Sequence, residues 1–340
     1  MSEIGTFRSI GDIAADIVEK LSPGIVERHQ VTDRESWLKM RATDVTASDV
    51  ASICGVGRRS PMAVWAEKKG LTSQQADSGI LRRGRWLEPA IWEAIKDTNP
   101  TWQLRAAKIY LRSPSLRLGA TPDALAVDPS REGLVLIQGK IVSQPVFERD
   151  WVVDNTGADP VVPLGYQLQT LTETMLVEAA YGLKHTIHPV LAALVLGTFD
   201  AELYLLPVRR HTDAEQKILQ TVRKFWADSD AGLEPVVSQS SDHDVVKALY
   251  PTDNGATVDL TGDNEIPGLM DERKILTEEI KERDDRKKLV EAAVKAKIGP
   301  ASFAMIAGGR KLSLTLTKRD GYMVQPTEFR TLREVRSKAK

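Results

Sequence analysis

The 340-residue sequence predicts an α/β fold, a mixed central sheet flanked by helices. Three observations predict it. "GLVLIQGKIVS" (133–143) is a short, almost wholly apolar run of the kind that forms a strand buried on both faces. "LRLGATPDALAVD" before it and "HPVLAALVLGTFDAELYLLPV" after it read as further strands, the latter a pair broken at Gly-Thr-Phe-Asp. Long segments with apolar residues at helical spacing separate these runs.

Taken in order, "SWLKMRATDVTASDVASICGVGRRSPMAVWAEKKG" reads as a helix, a second capped helix from Thr46 or Ser48, a Gly-rich loop and a third helix. The third starts at Ser60-Pro61, because a serine cap satisfies free N–H groups and proline suits the first helical position. "SGILRRGRWLEPAIWEAIKDTNP" is a helix whose buried side is Trp86, Leu87, Ile91, Trp92 and Ile95. "QLRAAKIYLRS" alternates like a strand. "VPLGYQLQTLTETMLVEAAYG" is a long amphipathic helix. "TDAEQKILQTVRKFWADSDAG" is another, capped at Thr212 or Asp213 and stopped by glycine.

The α/β domain therefore spans 1–250. Residues 251–270, rich in Gly, Asp and Asn, read as a linker. Residues 271–340 read as an appendage. Its first part is a charged helix or helical hairpin with a thin apolar stripe (Ile275, Leu276, Ile280, Leu289, Val290, Val294, Ile298). A β-hairpin turning at Asp320-Gly321 follows.

Composition narrows the function classes. Apolar residues make up 42% and charged residues 27%, as in an ordinary globular protein. No apolar run approaches the roughly 20 residues of a membrane span, and the acidic, amphipathic N-terminus does not read as a targeting leader. The single cysteine, Cys54, excludes an internal disulfide and a thiolate cluster. It reads as a core residue in a reducing, cytoplasmic setting. The five histidines (His29, His185, His188, His211, His243) have no metal-ligand spacing. Net charge is −1, yet Arg58, Arg59, Lys68, Lys69, Arg82, Arg83 and Arg85 cluster in one short region. Such a region forms either a local phosphate-binding surface or an ordinary solvated face.

Phosphodiester cleavage needs carboxylates around a cation and a positive side chain near the scissile phosphate. Asp123 follows a strand-like stretch, and Gln138 and Lys140 share one face of the next strand, since side chains alternate with period 2. If the two strands are antiparallel neighbours, these residues meet. Gln138 stands where a carboxylate would complete the pattern. An amide offers only a neutral oxygen, so a hard cation is held less strongly.

Further motifs occur in the same order. "WLKMRATDVTAS" supplies Arg41 and Ser48, "GRWLE" supplies Glu88, Pro122-Asp123 is followed by "QGK", and Tyr166, Gln167 and Gln169 lie on the following helix. Together they resemble the PD-(D/E)xK nuclease superfamily and, more closely, its YqaJ-type viral recombinase (phage lambda exonuclease-like) family, over roughly residues 30–230. The resemblance implies a restriction-endonuclease-like core and Mg²⁺-dependent cleavage of DNA, with Mn²⁺ as a substitute, working from linear duplex ends in phage-type recombination. It implies catalytic roles for Asp123, Glu88, Gln138, Lys140 and Gln167. The metal would take Asp123, Glu88, Gln138 and the backbone carbonyl of Gly139. Arg41 and Ser48 would hold a DNA phosphate, with Arg58 and Arg59 alongside. It also implies a homo-oligomeric ring around DNA, a single-strand annealing protein as partner, and the cytoplasm of a bacterial or phage-infected cell. Two rivals stand beside this reading: a DNA-binding protein on the same fold weakened in catalysis, and an endonuclease.

Overall fold

The computed structural model of the chain describes residues 26–72, 78–151, 160–182, 187–319, 321, 323 and 327–334. The chain forms two compact units, Met1–Tyr250 and Pro251–Lys340.

In the first unit, β1 (Glu27–Gln30) leads to α1 (Arg34–Ala42), β2 (Val45–Thr46), α2 (Ala47–Ile53), α3 (Pro61–Lys68) and α4 (Gly79–Thr98). Strands β3 (Gln103–Ala106), β4 (Ile109–Ser113), β5 (Leu118–Ala120), β6 (Ala124–Val127) and β7 (Leu134–Ser143) follow. Then come α5 (Gln144–Asp150), α6 (Leu164–Tyr181), β8 (Ile187–Leu196), β9 (Ala201–Pro207), α7 (Thr212–Asp230) and α8 (Asp242–Leu249). The main sheet has the order β3-β6-β7-β8-β9. It is mixed: β7 runs antiparallel to β6 and parallel to β8, and the remaining pairs are antiparallel. A second sheet, β1-β4-β5-β2, pairs its last two strands in parallel.

Strand β7 sits at the centre because its apolar residues serve both faces. Leu134 and Leu136 join a core with Leu171 and Val177 of α6 and Val222 and Phe225 of α7. Val135 and Ile137 join a separate core with Ile91, Trp92 and Ile95 of α4. This is the period-2 alternation of a strand covered on both sides. The face shared by Leu134 and Leu136 continues into Gln138 and Lys140, so the polar end of the strand opens on the α6 side.

Helix α6 is more deeply buried than a simple amphipathic helix. Thr170, Thr172 and Thr174 are all buried. Their hydroxyls donate to the carbonyls one turn back, at 2.8, 2.7 and 2.7 Å, which satisfies them without solvent.

Several sequence expectations are corrected. Trp86 is 74% exposed, because the buried side of α4 begins only at Ile91. Helix α2 is capped by Thr46, one of the two expected starts, whose hydroxyl and N–H both reach Asp49. Helix α7 takes His211 as its N-cap, without a side-chain cap. Of the basic cluster, Lys68 is an internal strut that donates to Asp49 at 2.9 Å and to the Arg41 carbonyl at 3.0 Å. Lys69 holds the Ser229 carbonyl at 2.9 Å. The short elements β1, β2, α5 and α8 have no counterpart in the sequence reading. Cys54 is half-buried against the larger core, and burial raises its thiol pKa.

Among the described residues of the second unit a single α-helix, α9 (Glu265–Ile298), starts inside the stretch read as a linker. It carries no buried residue and is laced with i,i+4 ion pairs such as Lys288–Asp284 at 2.6 Å. The hairpin pairs β10 (Phe303–Ile306) with β11 (Arg310–Ser313). It turns at Ala307–Gly309, where Gly308 and Gly309 both take positive φ. The expected turn at Asp320-Gly321 is not this hairpin; Asp320 lies outside the described residues. No described helix is long and apolar enough to cross a membrane.

Candidate active site

The antiparallel register of β6 and β7 sets Ala124 opposite Ile137, so Asp123, just before β6, lies beside the residues that follow Ile137. Asp123 Oδ2 accepts from the Gly139 N–H at 2.9 Å and from Gln138 Nε2 at 2.5 Å. Gln138 is 2% exposed, and its Oε1 has no hydrogen-bond partner among the described residues. The sequence reading gave the amide oxygen a task toward a cation. Here the amide nitrogen serves the carboxylate and leaves that oxygen over.

Gly139 has a steric cause. A Cβ at this position would lie 2.9 Å from Ile91 Cδ1 and 3.1 Å from Trp92 Cη2. The glycine lets α4 close on β7, and α4 carries Glu88. The Glu88 carboxyl feels the charges of Asp123 and Lys140. Burial, and then Asp123, raises the Glu88 carboxyl above its ordinary range, with Lys140 pulling it down. Burial also raises Asp123, against Lys140 and the two hydrogen bonds. Both carboxyls resist ionisation chiefly because they are buried, and Lys140 offsets part of that cost.

Lys140 supplies one cation. Its Nζ donates to Gln169 Oε1 at 3.3 Å and lies 5.1 Å from the centre of the Tyr166 ring. Gln169, not Gln167, faces the site. Gln167 donates to the Val162 carbonyl at 2.6 Å, which ties α6 to the preceding loop. Sequence reasoning missed Glu173. It is 1% exposed and accepts from Gln169 Nε2 at 2.9 Å. Burial, with Asp123 next, raises its pKa to about 8. The available signal was spacing: Glu173 follows Gln169 by four residues and so shares its helix face.

Arg41 and Ser48 are brought together as expected. Arg41 Nη2 donates to Ser48 Oγ at 3.2 Å and to Thr46 Oγ1 at 3.4 Å, with its guanidinium stacked 4.4 Å from the Trp37 ring centre. Trp37 Nε1 in turn donates to Thr121 Oγ1 at 2.9 Å, two residues before Asp123. Arg59 is drawn elsewhere. It pairs with Glu67 at 2.7 Å and approaches Asp49 at 3.6 Å. Arg58 is exposed; the Asp150 carboxyl, held low first by its hydrogen bond to Arg149, also feels the Arg58 charge.

No group of three His, Cys, Asp or Glu side chains among the described residues is arranged to hold a metal ion. The donor set still fits a hard divalent cation, which takes oxygen ligands, keeps several waters and needs only one or two carboxylates. Glu88, Asp123 and the unpartnered Gln138 oxygen are such donors.

No curated protein matches this sequence. Among solved structures, the chain is similar to an alkaline exonuclease from Laribacter hongkongensis: 21% identity, 63% of this chain, 99% of that one, TM-score 0.45. It is similar also to the shutoff and exonuclease protein of Kaposi's sarcoma-associated herpesvirus (12%, 60% and 71%, 0.39). A third similar structure is a putative exonuclease from Eubacterium rectale (10%, 68% and 97%, 0.39). The sequence model of the YqaJ-like viral recombinase domain family matches residues 36–179, the stretch that holds Arg41, Ser48, Glu88, Asp123, Gln138, Lys140, Gln169 and Glu173.

Proposed function

We propose that this protein is a divalent-metal-dependent DNA nuclease that works exonucleolytically from the ends of linear duplex in phage-type recombination. The observation that carries the reading is the junction of Asp123, Gln138, Gly139 and Lys140 at the end of one buried strand, with Glu88 electrostatically coupled to it. The match to the recombinase family supports it.

Asp123 and Glu88 would hold Mg²⁺ or Mn²⁺, with oxygens of Gln138 and Gly139 in reserve. The bound cation would supply Lewis acidity and a more acidic water at the phosphodiester. The protein's own groups do the remaining work. The Lys140 ammonium, fixed by Gln169, stabilises negative charge developing on the phosphoryl oxygens. The Arg41 fork, with Ser48, holds a neighbouring backbone phosphate. By the family resemblance, the working assembly is a ring around DNA partnered by a single-strand annealing protein in the cytoplasm of the bacterial or infected cell.

A second reading, DNA binding without cleavage, draws on one observation: the Gln138 amide nitrogen already satisfies Asp123. End-labelled linear duplex and closed circles, each incubated with Mg²⁺, separate the readings. Mononucleotide release from the linear duplex alone supports the proposal. Cutting of circles indicates an endonuclease, and binding without product indicates the second reading.

A further inference from the structure

Glu173 has no task in the scheme above, yet it is buried at the centre of α6. Its Oε2 has no hydrogen-bond partner among the described residues, and the charges of Lys140 and Arg41 that ease it do not outweigh its burial. A buried carboxyl is costly, so its one hydrogen bond matters. That contact is to Gln169 Nε2 at 2.9 Å, while Gln169 Oε1 faces Lys140 Nζ at 3.3 Å.

A primary amide can be turned over with almost no change of shape. Turned over, Gln169 would aim its NH₂ group at the Lys140 ammonium. An acceptor on the far side prevents this. Glu173 Oε1 is that acceptor, and it accepts whether the carboxyl is ionised or carries the proton that burial favours.

We propose that Glu173 is a positioning residue: by accepting from Gln169 Nε2 it keeps the Gln169 amide oxygen on Lys140 and so fixes the ammonium in place. The consequence for catalysis rests on the nuclease reading; the acid–amide–ammonium chain does not.

The test compares Glu173→Leu, which removes the acceptor at similar volume, with Glu173→Gln, which keeps an acceptor oxygen. Glu173→Leu should lower kcat by about 10- to 100-fold, the scale of a misplaced catalytic group, with KM for duplex little changed. Glu173→Gln should recover most of that loss. Gln169→Leu should match Glu173→Leu, and the double variant should be no worse than either single one, because both break the same chain. This arm also serves should Glu173→Leu fail to fold. An unimpaired kcat in folded Glu173→Leu would reduce Glu173 to packing. An equal loss in Glu173→Gln would make charge, not acceptance, its contribution.

A readout independent of activity is NMR of [¹⁵N]glutamine-labelled protein, with the Gln169 side-chain NH₂ assigned by its loss in Gln169→Leu. That pair should exchange slowly in the parent and in Glu173→Gln, and fast in Glu173→Leu. Slow exchange in all three overturns the proposal. If the parent cuts no DNA but the exchange pattern holds, the nuclease reading fails and the positioning chain stands.

Discussion

Replacing Gly139 with alanine should damage the site through packing alone. The added Cβ would lie 2.9 Å from Ile91 Cδ1, 3.1 Å from Trp92 Cη2 and 3.7 Å from Asp123 Oδ2. Ordinary carbon–carbon contact is about 3.5–4.0 Å, so the first two neighbours must give by roughly half an ångström. Both belong to α4, packed in its own core against β6, β7 and β8, and have little room to turn away. Overpacking of this kind costs about 1–3 kcal/mol. Because α4 also carries Glu88, the helix displaced by the methyl group carries a site carboxylate with it. Equilibrium urea unfolding would measure the cost, and Ile91→Val supplies the control by deleting the Cδ1 atom nearest the clash. Alone, Ile91→Val should cost about 0.5–1.5 kcal/mol. In the Gly139→Ala background it should restore stability, leaving a coupling energy of roughly 0.5 kcal/mol or more. Additive changes, or a Gly139→Ala variant as stable as the parent, would refute the claim that α4 dictates this glycine.

Gln138→Glu would set a second carboxylate 2.5 Å from Asp123 Oδ2, so the metal-free variant should melt lower at alkaline pH and gain more from Mg²⁺ than the parent; identical Mg²⁺ responses would exclude residue 138 from the cation site. Arg41→Lys keeps the charge but loses the fork to Ser48 and Thr46 and the stack on Trp37. It should weaken duplex binding, and Arg41→Ala should also lower the salt slope by about one; parental affinity in both would leave Arg41 a structural residue. Glu173 has its pKa raised from an ordinary 4.5 to about 8, so the stability linked to its proton is complete below the ordinary range and is lost as pH rises through about 8. Metal-free melting temperatures of the parent should therefore fall relative to Glu173→Leu between about pH 5 and 9, whereas parallel curves would mean that the carboxyl does not keep its proton.

What the sequence disclosed is what short-range rules govern. The apolar alternation of 133–143 located β7, and its antiparallel pairing with β6 brought Asp123 to Gln138. The Ser60-Pro61 start is a local rule, and Ser60 Oγ indeed accepts from the Ala63 N–H. Other features depend on the third dimension. Gln167 and Gln169 look equivalent in "YQLQ", yet the rotation of α6 turns one to a loop carbonyl and the other to Lys140. The burial of Glu173 follows from the packing of α6, which its place in the sequence does not disclose. Trp86 has the right helical phase for burial, but that end of α4 has no partner surface among the described residues and leaves it exposed. Paired glycines at 308 and 309 take the positive φ angles of the hairpin turn, in place of the Asp-Gly signal twelve residues on.

The most direct test of the site is the initial rate of Mg²⁺-dependent nucleotide release from end-labelled linear duplex by Asp123→Ala and Lys140→Ala, each shown to be folded. The account predicts at least a hundredfold loss in each, the scale set by removing one key electrostatic group from a reacting centre. Near-parental release by either folded variant would contradict it.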